Sequence, residues 1–223
     1  MAYYRRNWAF INLPFGIVAV LIALLAWNSL GGVRSILLIL WAVFVFHQFE
    51  EYAWPGGEQW IMNRVLRPSD VSRADRYPLN AQSAMITNVF IMLTLYLVAV
   101  IFANQIWLGI GVTLAGFAQI IVHGVLTTRK LKYFYNPGLF TAIFGFGGVG
   151  AWYIWYISAN GIATGWDWLF GVIALPFIMA FGVALPTYVW MADRNSPYPF
   201  TPAELRRFDA QERLARLGQT PAV

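Results

Sequence analysis

The chain has 223 residues, of which 59% are hydrophobic and 11% charged; a soluble domain carries about 25% charged residues, so this composition excludes an ordinary soluble protein. Its net charge of +5 is also found in nucleic-acid-binding proteins, but membrane proteins collect basic residues on short cytoplasmic loops, so we expect no nucleic-acid partner. The absence of cysteine excludes thiol nucleophiles, cysteine-bound zinc and iron–sulfur clusters.

Six stretches are long and apolar enough to be transmembrane helices, which need about 20 mostly apolar residues. The first follows Arg5 and Arg6, as the apolar part of a signal peptide would, but no small-x-small cleavage site ends it, so we interpret it as a retained helix. The predicted fold is an all-α, polytopic bundle of six transmembrane helices, at about residues 8–27, 34–54, 81–103, 105–128, 138–158 and 166–192.

The distribution of basic residues predicts the orientation of these helices. Every lysine and arginine except Arg34 falls on the side that holds both termini and the loops after the second and fourth spans. Short basic loops stay in the cytoplasm. We therefore predict a multi-pass protein of the cytoplasmic (inner) cell membrane, with both termini in the cytoplasm.

Two segments on the predicted cytoplasmic side have helical patterns of their own. Residues 58–67 place their apolar and polar side chains on opposite faces, which is typical of a short helix lying on the membrane surface. After the transmembrane domain of residues 1–200, a tail of residues 201–223 begins with a capping box from Thr201 to Glu204. The apolar residues of this tail form no continuous stripe, so we expect a solvated helix.

Four ionisable side chains lie inside the predicted spans, although the sequence has only two histidines and ten acidic residues. His47, Glu50 and Glu51 belong to the second span and His123 to the fourth. The other eight acidic residues fall in loops, at interfaces or in the tail. A charged side chain at the centre of a bilayer costs about 2.5–3.5 kcal/mol, so intramembrane groups of this kind indicate a function.

These residues are predicted to lie at a similar depth in the membrane and to face the interior of the bundle. With 1.5 Å of rise per residue, His47, Glu50 and Glu51 lie roughly 6–12 Å below the cytoplasmic surface, His123 at roughly 9 Å and Asn88 at roughly 10 Å. The three residues of the second span occupy an arc of about 100° on one helix face. We therefore predict a pocket that opens to the cytoplasm between the second, third and fourth spans and is lined by His47, Glu50, Glu51, Asn88, Gln119 and His123.

The run His47-Gln48-Phe49-Glu50-Glu51 resembles the signature of the HXXEE family of small multi-pass prokaryotic membrane proteins. Asn88 and His123 resemble the rest of that family's pattern, and the resemblance covers about residues 35–160. The function of the family is uncharacterised, so the resemblance indicates a site without implying a reaction.

The imidazole and carboxylate groups predict a divalent metal site, with zinc as the expected ion and iron or manganese as alternatives. Two histidines and one glutamate form a zinc triad with an open position, and the second glutamate would orient a ligand or act as a general base. The sequence does not indicate which glutamate takes which role. Asn88 and Gln119 are predicted supporting residues, and aromatic side chains that could line a substrate pocket are Trp41, Phe44 and Trp54.

Three kinds of function remain open, besides a purely structural hydrogen-bond cluster. The first is a metal-dependent hydrolase acting on a lipid or isoprenoid-like amphiphile, with Glu50 or Glu51 as the catalytic base. The second is a metal-free isomerase or cyclase of a terpenoid or sterol-like substrate that uses a protonated glutamate. The third is a metal or proton-coupled transporter. The expected partners are membrane lipids and a hydrophobic small molecule. The basic loop after the fourth span could contact a lipid headgroup or another anion through Arg129, Lys130, Lys132, Tyr133, Tyr135 and Asn136.

Overall fold

The computed structural model describes residues 1–219 and contains helices but no strand within that range. Six helices are long and apolar enough to cross a membrane, which confirms the predicted all-α bundle: α1 (Ala2–Leu25), α2 (Gly32–Tyr52), α4 (Ala81–Ile101), α5 (Ile106–Leu131), α6 (Thr141–Ala159) and α7 (Gly165–Trp190). Shorter helices, numbered in the same chain order, are α3 (residues 58–66), α8 (Pro202–Leu205) and α9 (Ala210–Arg216). Single helical turns lie at Trp27–Leu30 and Val71–Arg73.

α1 begins about six residues before the predicted span, because its two arginines are held by protein groups. The guanidinium of Arg5 donates to Gln82 Oε1 over 2.5 Å, and that of Arg6 forms a 3.0 Å ion pair with Glu204. The helix can therefore continue past the apolar run without leaving these charges unpartnered.

One end of the bundle gathers the N-terminus, the short helices α3, α8 and α9, and every lysine and arginine except Arg34. We call it the basic end. Its segments are tied together by contacts such as the 2.9 Å bond from Lys130 Nζ to the Leu66 carbonyl and the backbone bond from Ala81 to Tyr198. All six membrane-spanning helices begin or end here, which brings the predicted site residues to this side of the bundle.

α2 occupies the centre of the bundle and packs against α1, α4 and α6, while α5 packs against α6 and α7. Because α2 is surrounded, its polar residues near the basic end are buried with its apolar ones. The bundle core is an apolar cluster around Ile36, Leu40, Tyr96, Phe146 and Tyr153.

α3 differs from the predicted surface helix because both of its faces are covered. Trp60 and Asn63 are almost fully buried, and the Asn63 amide donates to two backbone carbonyls over 2.8 and 2.9 Å. The C-terminal segment lies against it: the Trp60 indole donates to the Arg207 carbonyl over 3.0 Å. The polar face that the sequence assigns to solvent is therefore an internal contact.

The C-terminal segment also differs from the predicted solvated helix. The capping box from Thr201 to Glu204 is present, with the Glu204 carboxylate 2.6 Å from the Thr201 backbone nitrogen. The chain then turns at Phe208 and Asp209, both with positive φ, and separates two short helices. This turn directs Leu205 and Leu214 into one apolar cluster with α3, which a single straight helix could not do. Residues 220–223 of the predicted tail lie outside the described residues.

Candidate metal centre

Three buried side chains converge between α2 and α5. His47 and Glu51 stand one turn apart on α2, and His123 faces them from α5. Glu51 Oε1 lies 3.4 Å from His47 Nε2 and 3.2 Å from His123 Nε2. One ligand atom from each residue lies within 4.8 Å of the other two, so the group could hold a metal ion.

A hydrogen-bond chain fixes the His47 ring. The Thr141 hydroxyl donates to Glu50 Oε2 over 2.5 Å, which uses its only proton. Its oxygen lies 2.8 Å from His47 Nδ1 and must therefore accept from that nitrogen. The proton of a neutral His47 ring is thus on Nδ1, and the Nε2 lone pair points to Glu51.

The His123 ring is fixed in the same way from the loop before α6. Asn136 uses its amide nitrogen to donate to the His123 carbonyl over 2.9 Å, so its Oδ1, 2.9 Å from Nδ1, is an acceptor. Gly138 closes the other side, with a φ of +97°. A Cβ at this position would lie 2.4 Å from Cε1 of the His123 ring. Only glycine allows the loop to approach the ring this closely.

With both rings neutral, this group contains acceptors and no donor. Among residues 1–219, the Nε2 atoms of both histidines make no hydrogen bond, although Glu51 is within 3.4 Å of each. Ligand atoms about 2.0–2.1 Å from a tetrahedral zinc ion stand about 3.3 Å apart, close to these spacings. In metal-binding histidines, the ring nitrogen that does not bind the metal usually donates to an oxygen, as both Nδ1 atoms do here. The donor set therefore fits a divalent cation.

Glu50 points away from this group, although it is adjacent to Glu51. Its carboxylate accepts from the Phe140 and Thr141 backbone nitrogens, over 3.1 and 2.9 Å, and from the hydroxyls of Thr141 and Tyr135. Burial, with a further contribution from the neighbouring Glu50, raises the pKa of Tyr135, so its phenol remains a donor. Glu50 thus caps the first turn of α6, where a negative charge is favoured.

A cavity of about 760 Å³ adjoins the group and is lined by His47, Glu51 and His123. Glu58 of α3 lines the same cavity, is only 3% exposed, and has one carboxyl oxygen, Oε2, without a hydrogen bond among residues 1–219. Burial, with a smaller contribution from Glu51, raises the pKa of Glu58 to about 8. The cavity therefore holds a second carboxyl group that carries a proton at neutral pH.

The other predicted residues are distributed unevenly around this cavity. Asn88, Gln119 and Phe44 line it, and the Asn88 carbonyl accepts from Gln48 over 2.8 Å. Trp41 and Trp54 do not. The Trp41 indole donates to the Leu93 carbonyl over 3.1 Å, and Trp54, just past the end of α2, is 73% exposed.

Glu58, Gly138 and Thr141 matter at the site and are absent from the predicted set, and Asn136 was predicted to contact an anion rather than to fix a histidine ring. The sequence places Glu58 at the start of a helix on the membrane surface, because only the fold shows that α3 turns back beneath the bundle. Asn136, Pro137 and Gly138 mark a turn directly after the fourth span. This turn pattern, close to the span that carries His123, is the sequence feature that could have indicated a contact between the loop and the His123 ring.

A family model described as "Protein of unknown function with HXXEE motif" matches residues 38–153, just over half of the chain. The chain therefore belongs to the HXXEE family. No curated protein and no solved structure matches it. The family model covers His47, Glu50, Glu51 and His123, and also the loop that supports them.

Proposed function

We propose that this protein is a metal-dependent membrane enzyme, a hydrolase of a lipid or isoprenoid-like amphiphile, with zinc held by His47, Glu51 and His123. The observation that supports it best is the convergence of two Nε2 lone pairs and a carboxylate at the wall of a large cavity. An ionised carboxylate buried between two neutral rings is costly, and a cation offsets that cost.

The size and lining of the cavity support an amphiphilic substrate. Its volume of about 760 Å³ is within the usual range of small-molecule sites, roughly 300–1,000 Å³. Apolar side chains such as Phe44, Met92 and Met179 line it together with the ionisable group. A substrate with an apolar chain and a polar bond matches this combination.

Each nearby residue has a role in this proposal. A bound zinc ion would supply Lewis acidity and an acidified water, which is its usual contribution to hydrolysis. His47 and His123 hold it in an orientation set by Thr141 and Asn136. Glu58 exchanges protons with the reacting groups, since its Oε2 makes no hydrogen bond within residues 1–219 and burial raises its pKa to about 8. Glu50, which the sequence offered as a base, has both oxygens engaged in the cap of α6.

We also propose that the basic end faces the cytoplasm, in the cell membrane, with both termini inside. The support is the concentration of lysine and arginine at this end, against Arg34 alone at the other. The site then opens near the cytoplasmic headgroups.

The first test is elemental analysis of the detergent-purified protein beside a His47→Ala/His123→Ala variant. We expect about one zinc per chain in the wild type and none in the variant. Ser35→Ala is the matched control, because Ser35 is buried on α2 with an unpartnered hydroxyl and does not line the cavity. A variant that retains full metal content would contradict the proposed ligands.

The second test is hydrolysis of a panel of lipid esters and phosphates by metal-stripped and zinc-reloaded protein. We expect release of product that stops on chelation and returns with zinc. If the protein takes up no metal after supplementation, the hydrolase proposal is wrong.

A metal-free isomerase or cyclase is the second candidate, and the observation that favours it is Glu58. A buried carboxyl that holds its proton at neutral pH beside an apolar cavity is suited to protonate an alkene or epoxide. Chelation distinguishes the two candidates. Turnover that continues after metal removal but is lost in Glu58→Gln supports the isomerase or cyclase. The transporter hypothesis has no comparable observation and stays a prediction from the sequence.

A further inference from the structure

Two basic side chains lie at the rim of the site cavity. Among the lysines and arginines of residues 1–219, only Arg67 and Lys130 line it. They come from different elements, the end of α3 and the end of α5, and are brought together because Lys130 Nζ donates to the carbonyl of Leu66, next to Arg67, over 2.9 Å. The rim therefore carries two positive charges.

Both charges are available to a ligand. Arg67 and Lys130 are exposed, and within the described part of the chain neither is within ion-pair distance of a carboxylate. The Arg67 guanidinium lies over the Tyr188 ring, with its Cζ 4.1 Å from the ring centroid, and both residues line the cavity wall. Lys130 uses one of its three ammonium protons on Leu66 and keeps two.

The cavity extends from this rim into the apolar bundle. α7 lines it from Tyr188 to Pro176, twelve residues or about 18 Å of helix. Phe44 and Met92 line the part of the wall beyond the metal centre. His123 lies seven residues before Lys130 on α5, so the metal centre is about 10 Å below the rim. From the rim inwards, the cavity wall is therefore first positively charged, then ionisable at the metal centre, and finally apolar.

We propose that the cavity binds an amphiphile with a phosphate-bearing headgroup, which Arg67 and Lys130 hold at the rim while the apolar chain extends along α7. This inference rests on the proposed function and specifies its substrate class. A guanidinium and an ammonium together match a phosphate group, the first by a planar pair of donors and the second by a point charge. The carboxyl groups of the cavity do not prevent binding, because the proposed metal ion neutralises Glu51, and Glu58 is buried whereas Arg67 and Lys130 are exposed.

The test measures ligand-induced shifts in the melting temperature of the detergent-purified protein, followed by tryptophan fluorescence. The ligands are phosphatidic acid, farnesyl phosphate, diacylglycerol and inorganic phosphate. Arg67→Gln/Lys130→Gln is compared with Arg73→Gln/Arg129→Gln, which removes the same charge from exposed residues of the basic end that do not line the cavity. Lys130→Gln alone is a second test if the double variant is unstable.

We expect one of the two phosphate amphiphiles to stabilise the wild type and the control, with about tenfold or more weaker affinity in Arg67→Gln/Lys130→Gln. Whichever of the two binds more tightly identifies the apolar chain as acyl or isoprenoid. Equal affinity in both double variants, or equal binding of diacylglycerol or inorganic phosphate, would overturn the proposal.

Metal-stripped protein and metal analysis of each variant keep this result separate from the hydrolase proposal. If phosphate amphiphiles bind but no zinc is taken up, the headgroup site stands and the metal enzyme does not. If neutral lipids are hydrolysed equally well by Arg67→Gln/Lys130→Gln, the metal enzyme stands and the headgroup site is wrong.

Discussion

The two sides of the end of α2 carry adjacent glutamates in opposite environments. On one side, Glu51 meets two histidine nitrogens that offer no hydrogen bond, at the wall of a cavity. On the other, Glu50 receives four donors from the loop before α6 and the first turn of that helix. The first side has an excess of acceptors when both rings are neutral and could hold a cation, whereas the carboxylate on the second side has four donors.

The two sides are connected, because Thr141 bonds both Glu50 and His47. Glu50 therefore acts on the proposed metal through a hydroxyl rather than directly. The comparison shows how one repeated residue type can supply a ligand and a structural support, at positions separated by about 100° around the helix.

Replacing each glutamate with its isosteric amide tests the comparison most directly. Glu51→Gln is expected to reduce metal content from about one ion per chain to near zero, since it removes a charged ligand. Glu50→Gln should keep the ion with an affinity weaker by about 10–100-fold, the usual effect of an outer partner. Competition with a zinc-binding dye measures both. Loss of metal in Glu50→Gln with retention in Glu51→Gln would reverse the assignment.

Gly138→Ala is expected to disrupt the His123 side almost as strongly. The added Cβ would lie 2.4 Å from the imidazole, so the ring must leave its position. Gly161→Ala is the control, because Gly161 also has a positive φ, +61°, but faces open space. We expect metal binding to be lost only in Gly138→Ala, as measured by elemental analysis of folded protein. Equal effects of the two substitutions would attribute the loss to backbone strain instead.

Thr141→Val should weaken metal binding by a smaller amount, about 10–100-fold, because the ring loses its oriented acceptor but keeps its position on α2. Thr113→Val is the matched control, since the Thr113 hydroxyl is buried and makes no hydrogen bond within the described range. Zinc titration of both variants measures the difference. Unchanged affinity in Thr141→Val would mean that the link between the two sides has no effect on the site.

The sequence predicts the six long helices well, because a run of about 20 apolar residues is enough to identify a membrane-spanning helix. It also predicts that His47, Glu51 and His123 meet, since i, i+4 spacing and a common depth are set by helix geometry. It cannot separate Glu50 from Glu51, because the two differ only in which neighbour their helix face meets. That neighbour is the turn before α6, whose path depends on Gly138 and Asn136.

Parts outside the spans were harder to predict, because tertiary contacts decide their environment. α3 has the pattern of an interfacial helix, yet Asn63 on its polar face is bonded by the loop before α4, and the segment after α7 packs against Trp60. Glu58, which the sequence places at the start of a surface helix, is therefore buried. The turn at Phe208 and Asp209, which makes that cover possible, has no glycine to mark it.

The titration of Glu58 affects the stability of the fold rather than metal affinity, and it tests the burial of this side chain. An unperturbed glutamate loses its proton near 4.5, but Glu58 in the folded protein keeps it up to about 8. Its contribution to stability is therefore greatest below pH 4.5 and is lost as the pH rises through about 8. Relative to Glu58→Gln, metal-free wild type should lose up to about 1.4 kcal/mol per pH unit within that window. Melting temperatures of both proteins at several pH values measure this difference, and parallel curves would show that Glu58 ionises freely in the folded state.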